Sequence, residues 1–125
     1  AEWEYACRAG TTGDYAGDLD EMGWYEANSG QKIQPVGQLK PNAFGLYDMH
    51  GNVWEWCQDW YGDYPNTEQL DPQGPATGKM RVLRGGSYYG HRIGCRSANR
   101  GRNQPGVCNG LNGFRLALGI ENQIP

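Results

Sequence analysis

Residues 45–60 read GLYDMHGNVWEWCQDW and combine three tryptophans, three acidic residues and a Gly-Asn turn. Within them, NVWEWC at 52–57 is rich in the aromatic and β-branched residues that favour a β-strand. Tryptophan buries much apolar surface per residue. The stretch therefore predicts a strand that forms part of the core of a small domain.

Two further strands are predicted downstream. RVLRG at 81–85 has the composition of a strand, and GFRLAL at 113–118 alternates along its length. Successive side chains of a strand point to opposite sides, so one side of the second segment carries Phe114, Leu116 and Leu118. We expect an α+β fold with a small, mainly antiparallel sheet.

The rest of the chain is rich in loops. It has 125 residues, enough for one domain, and contains 20 glycines and 7 prolines. Residues 1–9 have helical spacing, with Gly10 placed to end the helix in a left-handed turn. The turn-rich segments 61–80 and 86–112 are long for a compact domain, and such loops are usually functional.

Charge and hydropathy exclude several partners. The formal net charge is −3 and no basic run occurs, which argues against nucleic acid. No segment approaches the roughly eighteen apolar residues of a membrane span, so we expect no membrane insertion. The four cysteines are too scattered for a disulfide scaffold and lack zinc-site spacing.

Asp48 and Glu55 are candidate ligands of a hard cation. Calcium binds six to eight oxygens from carboxylates and backbone carbonyls, and a Gly-Asn turn lies between these two acids. An alternative from the same residues is that Glu55 caps backbone amides while the tryptophans only fill the core. Spacing alone leaves both readings open.

Four blocks of the chain resemble the formylglycine-generating enzyme (sulfatase-modifying factor) family. They are AEWEYACRAG, GLYDMHGNVWEWCQDWYG, RVLRGGSYY and GFRLAL, in the family's order and approximate spacing. The resemblance implies a variant of the C-type lectin fold, with residues 1–125 as a single domain that lacks the N-terminal part of the family domain. It also implies a structural calcium site formed by the side chains of Asp48 and Glu55 and the carbonyls of Gly51 and Val53.

The chain departs from the family at the residues that carry out its chemistry. Members oxidise a substrate cysteine using two cysteines that bind copper, and soft thiolates suit copper(I). Aligned on GGSYYGHRIGC, the second cysteine is Cys95 but the first is Gly90. We therefore expect a domain without catalysis. The alternative is a divergent copper-dependent oxidase with Cys95 as the remaining ligand and Ser87 nearby, whereas an unpaired cysteine is most often a buried apolar residue.

Residues 88–94 and 101–112 have no strand or helix period, although the segments around them are orderly. CRSANR at 95–100 and GFRLA at 113–117 resemble flanking segments in the variable proteins of diversity-generating retroelements, which share this fold. Those elements mutate adenines, so asparagine codons become codons ending in C or T. Every residue of the two segments except Gln104 has such a codon.

The second resemblance implies a ligand-binding domain with hypervariable loops. Tyrosine and arginine supply much of the energy at adaptable binding surfaces. The predicted contact residues are Tyr89, Gly90, His91, Arg92, Ile93, Gly94, Arg102, Asn103, Val107 and Leu111. The expected partner is a protein or other surface ligand, and the resemblance implies a cell surface or a phage particle. In the alternative, the loops are solvated connections with Tyr88 and Tyr89 packed inward; Tyr88 is expected to be partly buried in either case.

Overall fold

The N-terminal helix α1 spans Glu2–Arg8 in the computed structural model, which describes residues 1–118. Acidic side chains in its first turn and Arg8 in its last turn complement the helix dipole. The helix was predicted, but the left-handed turn begins one residue early, at Ala9 (φ 46°), before Gly10 (φ 90°). None of the helices between residues 1 and 118 has the length and apolar character needed to traverse a bilayer.

A short helix and a two-stranded parallel sheet lead to the tryptophan-rich block. Helix α2 (Leu19–Met22) is followed by β1 (Gly23–Trp24), which pairs with β2 (His50–Gly51). Gly51 has φ 81°, and a Cβ there would lie 2.0 Å from the carbonyl oxygen of Trp24. Only glycine allows this close approach.

The larger sheet has four strands: β3 (Trp54–Trp60), β4 (Arg81–Arg84), β5 (Gly101–Asn103) and β6 (Asn112–Gly113). Their order across the sheet is β5-β4-β3-β6. β4 is antiparallel to both β3 and β5, whereas β6 runs parallel to β3. The α+β prediction is confirmed, and the two central strands lie where the sequence predicted them, with β3 extending further toward the C-terminus.

The predicted strand at 113–118 is wrong beyond its first residue. β6 ends at Gly113, and Phe114, Leu116 and Leu118 are 76%, 90% and 97% exposed. Among the described residues, this backbone has no ladder partner after Gly113. Instead, Arg115 turns toward the body of the domain and binds Glu55.

The core is small and contains polar side chains. Leu19, Tyr25 and Cys95 form a buried cluster against Tyr15. His50, Cys7 and Ser97 are also among the fully buried side chains. Buried polar groups require hydrogen-bond partners, so this core depends on specific bonds as well as on apolar contact.

Candidate functional site: two loops on a hydrogen-bonded framework

The backbone of residues 88–90 is attached to distant parts of the chain. The Tyr88 amide donates to the Asn52 carbonyl at 2.7 Å, and the Ser29 hydroxyl donates to the Tyr88 carbonyl at 2.7 Å. The Glu26 amide donates to the Gly90 carbonyl at 3.1 Å. These bonds use main-chain atoms of the loop, so they do not depend on which side chains the loop carries.

Residues 91–95 are held in the same way. They form a 3-10 helix at Arg92–Cys95. The Tyr15 hydroxyl donates to the Arg92 carbonyl at 2.8 Å, and the Asn99 side-chain amide donates to the Gly94 carbonyl at 3.0 Å. At the end of the helix, Cys95 is fully buried and fixes the loop to the core.

The side chains of this loop project into solvent. Tyr89 is 60% and Ile93 is 56% exposed, and His91 and Arg92 are exposed as well. Tyr88 is half-buried, as predicted, and its ring meets that of Tyr89 edge-on, with centroids 6.4 Å apart. The alternative in which Tyr89 packs inward is therefore wrong.

The second loop approaches the first through its C-terminal half. A Cβ at Gly110 would lie 3.9 Å from the Tyr88 hydroxyl. The Trp54 ring lies beneath both segments, 4.0 Å from a Cβ built at Gly94 and 3.2 Å from one built at Gly101. The Trp54 amide also donates to the Leu111 carbonyl at 2.7 Å. Trp54, in the tryptophan-rich block at 45–60, thus lies beneath both loops.

Arg102 is the predicted contact residue that lies apart. It pairs with Val82 across β4 and β5, whereas its neighbour Gly101 packs on Trp54. Successive strand residues point to opposite sides, so the Arg102 side chain lies on the side away from Trp54. Its guanidinium carbon stands 4.8 Å from the centre of the Tyr61 ring. Asn103 and Val107 are half-buried.

The four predicted calcium ligands lie around one cavity. Asp48, Gly51, Val53 and Glu55 all line a space of about 440 Å³, together with residues of the 36–37 and 45–47 segments, Asn52, Phe114 and Arg115. Asp48 itself adopts a left-handed backbone conformation (φ 58°). The sequence prediction thus identified residues that the fold brings together.

The two carboxylates of this cavity differ in their partners. One oxygen of Asp48 accepts from the Gly37 amide at 2.8 Å, but its Oδ1 is buried without a hydrogen-bond partner. Both oxygens of Glu55 are bound by Arg115, one of them by Nη2 at 3.1 Å. Burial raises the pKa of the Glu55 carboxyl, and the guanidinium opposes that shift. The unpartnered Asp48 oxygen suits a cation, whereas Glu55 is already neutralised by Arg115.

The candidate catalytic residues are not accessible to solvent. Cys95 is 0% and Ser87 is 3% exposed. A Cβ at Gly86 would lie 2.7 Å from the Cys95 sulfur, so the thiol fills the space that this glycine leaves. Burial raises the pKa of the Cys95 thiol to about 12. A thiol with this pKa is protonated at neutral pH, and a protonated thiol is a poor nucleophile.

His50 is the central residue that sequence reasoning missed. It is fully buried, with Nδ1 2.7 Å from the Cys95 carbonyl, while Nε2 accepts from the Ala16 amide at 3.1 Å. The Cys7 sulfur lies 3.7 Å from Nε2. Burial lowers the pKa of the His50 imidazole, which favours the neutral ring with its proton on Nδ1. No acid at a telling spacing marks this residue, because its partners are backbone groups.

Comparison with known proteins identifies the family. Residues 1–120 match the sulfatase-modifying factor enzyme 1-like domain. The chain belongs to this family. It is 43% identical over 126 aligned positions to the serine/threonine-protein kinase pkn1 of Chlamydia caviae, covering 97% of this chain and 20% of that protein. It is 40% identical over 139 positions to the formylglycine-generating enzyme of Streptomyces coelicolor, covering 94% and 44%.

A solved structure has the same fold as the chain. Treponema denticola variable protein 1 superposes with a TM-score of 0.86 at 42% identity, covering 90% of this chain and 43% of that one. The lectin-like fold expected from the sequence resemblance is thereby confirmed, as is the resemblance to variable proteins. The chain spans less than half the length of each of these three relatives.

Proposed function

We propose that the chain is a ligand-binding domain whose contact surface consists of the exposed side chains of two binding loops, residues 88–94 and 101–112. The observation that carries the proposal is the division of labour in the first loop. Its carbonyl and amide groups at Tyr88, Gly90, Arg92 and Gly94 are bound by other segments, while Tyr89, His91, Arg92 and Ile93 extend into solvent. Apart from His91, whose Nδ1 accepts from the Ile93 amide at 3.3 Å, these side chains can be exchanged without loss of the bonds that hold the loop.

The composition of the exposed set fits binding. Tyr89 supplies a large rigid ring, Ile93 an apolar contact, and His91 and Arg92 supply donors. Aromatic and arginine side chains dominate the energy of protein interfaces. A loop whose backbone is already ordered also loses less entropy when it binds. The expected partner is a protein or other surface ligand.

Catalysis by a copper-bound cysteine pair is disfavoured by two features of the chain. Gly90 replaces one cysteine, and Cys95 is enclosed against Gly86. The similarity to the Streptomyces coelicolor enzyme nevertheless makes an oxidase the second candidate. Oxygen consumption with a cysteine-containing peptide and added copper separates the two functions. A binding domain gives no consumption above the peptide-and-copper background, whereas catalytic turnover by this chain would establish the oxidase.

Population sequencing tests the binding proposal. The gene would be sequenced from many natural isolates, and substitutions scored by codon. We expect them to cluster at codons 88–94 and 101–112 and to coincide with adenines in a nearby template copy. Codons 45–60 are the internal control, because they encode the framework. If the loop codons are as constant as the control codons, the proposal is wrong.

We further propose that the cavity at Asp48 holds a structural calcium ion. The unpartnered Oδ1 of Asp48 and the carbonyls of Gly51 and Val53 would supply oxygen ligands, and the ion would compete with Arg115 for Glu55. Calcium should then raise the melting temperature. At one hundred times its Kd, it should add about 2.7 kcal/mol to the free energy of unfolding.

Matched variants test the calcium site. Asp48→Asn should abolish the response to calcium. Arg115→Gln should strengthen calcium binding, because it releases Glu55 from its present partner. A wild-type melting curve that does not move between calcium and chelator would show that this ion assignment is wrong.

A further inference from the structure

A second surface lies on the side of the sheet that faces away from Trp54; its residues Arg102 and Tyr64 are exposed, and Arg100 and Tyr61 are half-buried. Here Arg100 and Arg102 stand over Tyr61, with guanidinium carbons 4.7 and 4.8 Å from its ring centre. Arg100 also lies 3.8 Å from the centre of the Tyr64 ring. We call these four residues the arginine–tyrosine patch. Stacking on aromatic rings orients a guanidinium and leaves its N–H edge free.

The two guanidinium groups are largely free to bind. Arg100 donates one hydrogen bond, from Nη2 to the Gly62 carbonyl at 3.1 Å, out of five N–H donors. Among residues 1–118, neither Arg100 nor Arg102 forms an ion pair. Neither arginine pairs with Asp63, the acid that lies between the two tyrosines in sequence. The patch is therefore locally cationic in a chain whose net charge is −3.

We infer that the arginine–tyrosine patch is a docking surface for an acidic peptide segment of a protein partner. Planar guanidinium groups pair with carboxylates through two parallel hydrogen bonds. Exposed tyrosine beside arginine is the composition of protein-interface hot spots. Two arginines match one or two carboxylates, whereas the phosphate backbone of a nucleic acid requires a longer basic track than this acidic chain presents.

The position of the patch separates it from the proposed loop surface. Arg100 belongs to CRSANR, outside both binding loops, and Tyr61 and Tyr64 follow β3. Only Arg102 comes from a binding loop. Most of the patch therefore stays constant when residues 88–94 and 101–112 are exchanged, and it supplies a preference for acidic partners that does not depend on the loop sequence.

Binding of fluorescein-labelled hexaglutamate, followed by anisotropy at an ionic strength of about 0.15 M, tests the inference, because charges further apart than about 8 Å are then largely screened. The double variant Arg100→Gln, Arg102→Gln should weaken binding by about tenfold or more, the loss of one charge-assisted pair. Arg81→Gln is the matched control. Arg81 stacks on Trp60 at 3.5 Å and pairs with Asn103, on the opposite side of the sheet from Arg102. This variant removes one charge there and should change the affinity by less than about twofold.

Three results with the wild type and the glutamine variants would overturn the inference. They are no hexaglutamate binding by the wild type, an equal loss in Arg81→Gln, and binding of heparin but not hexaglutamate through Arg100 and Arg102, which would assign a sulfated polysaccharide instead. Melting curves of the variants check folding.

The variant Arg100→Lys, Arg102→Lys keeps the charge without the planar fork and should bind more weakly than the wild type; equal binding would also contradict the inference. The probe does not involve codon variation, so a negative result leaves the loop proposal standing, and constant loop codons leave this inference standing.

Discussion

The His50 centre and the 88–94 loop use hydrogen bonds in opposite ways. At His50, a buried side chain binds backbone groups of Ala16 and Cys95, so the identity of the side chain determines the structure. In the loop, side chains from outside bind the backbone at Tyr88, Arg92 and Gly94. A position therefore tolerates substitution when it contributes its backbone to the hydrogen bond, and does not when it contributes its side chain. Exposure alone does not determine this tolerance.

Substitution of His50 should lower the stability more than any other change proposed here. His50→Ala leaves the Cys95 carbonyl and the Ala16 amide without their partner and opens a cavity, which should lower the free energy of unfolding by roughly 3–5 kcal/mol. His91→Ala is the matched loop substitution and should lower it by only about 0.5–1 kcal/mol, because it removes one exposed cap, the bond that His91 Nδ1 accepts from the Ile93 amide at 3.3 Å. Urea denaturation of both variants measures the difference. Similar values would remove the distinction between the two regions.

A pair of glycines gives the next largest contrast. Gly86 has φ 77°, and a Cβ there would lie 2.7 Å from the Cys95 sulfur. Gly86→Ala should therefore cost about 2–4 kcal/mol. At Gly90 the three atoms nearest to a Cβ all belong to Ser87, and the closest is the hydroxyl oxygen at 3.4 Å. Gly90→Ala should be close to neutral in thermal melting; a cost equal to that at Gly86 would mean that the loop is as tightly packed as the framework.

Thiol modification sharpens the comparison without any mutation. Burial raises the pKa to about 11 for Cys7 and about 12 for Cys95, so both thiols should stay protonated and resist iodoacetamide at pH 8. Their reactivity should rise only as the pH approaches those values. Cys108, exposed in the second loop, should be modified first. Peptide mapping by mass spectrometry identifies the site, and early modification of Cys95 would restore the oxidase as a candidate.

The smallest expected effects are in the loop surface. Tyr89→Ser and Ile93→Ser remove exposed side chains whose backbones are held from outside. Each should change the free energy of unfolding by less than about 0.5 kcal/mol. Calorimetric melting gives the values. A loss above about 2 kcal/mol in either variant would mean that the side chain supports the fold.

Parts of the fold were predictable because they depend on local patterns. The strand at β3 followed from its composition, and the half-burial of Tyr88 followed from the family resemblance. The segment 113–118 alternates, but its strand stops where Arg115 turns to Glu55, a contact 60 residues apart in sequence. Alternation indicates which strand a sequence prefers, while a ladder also requires a partner.

The site was predictable in part for the same reason. The four predicted calcium ligands lie within eight positions of one another, from Asp48 to Glu55, so their spacing in sequence reflects their spacing in the fold. His50 was missed because its partners are backbone groups at Ala16 and Cys95, which no residue type reveals. The orientation of Arg102 away from Trp54 depends on strand register, which becomes clear only when β4 and β5 pair.

The central claim is that the framework holds the loops through their backbones. A saturation library displayed on yeast and challenged with protease measures folding for every substitution at residues 89, 91, 92 and 93 and at residues 50, 86, 87 and 95. We predict that most substitutions in the first set retain wild-type protease resistance and that most in the second set lose it. Equal sensitivity in the two sets would contradict the account.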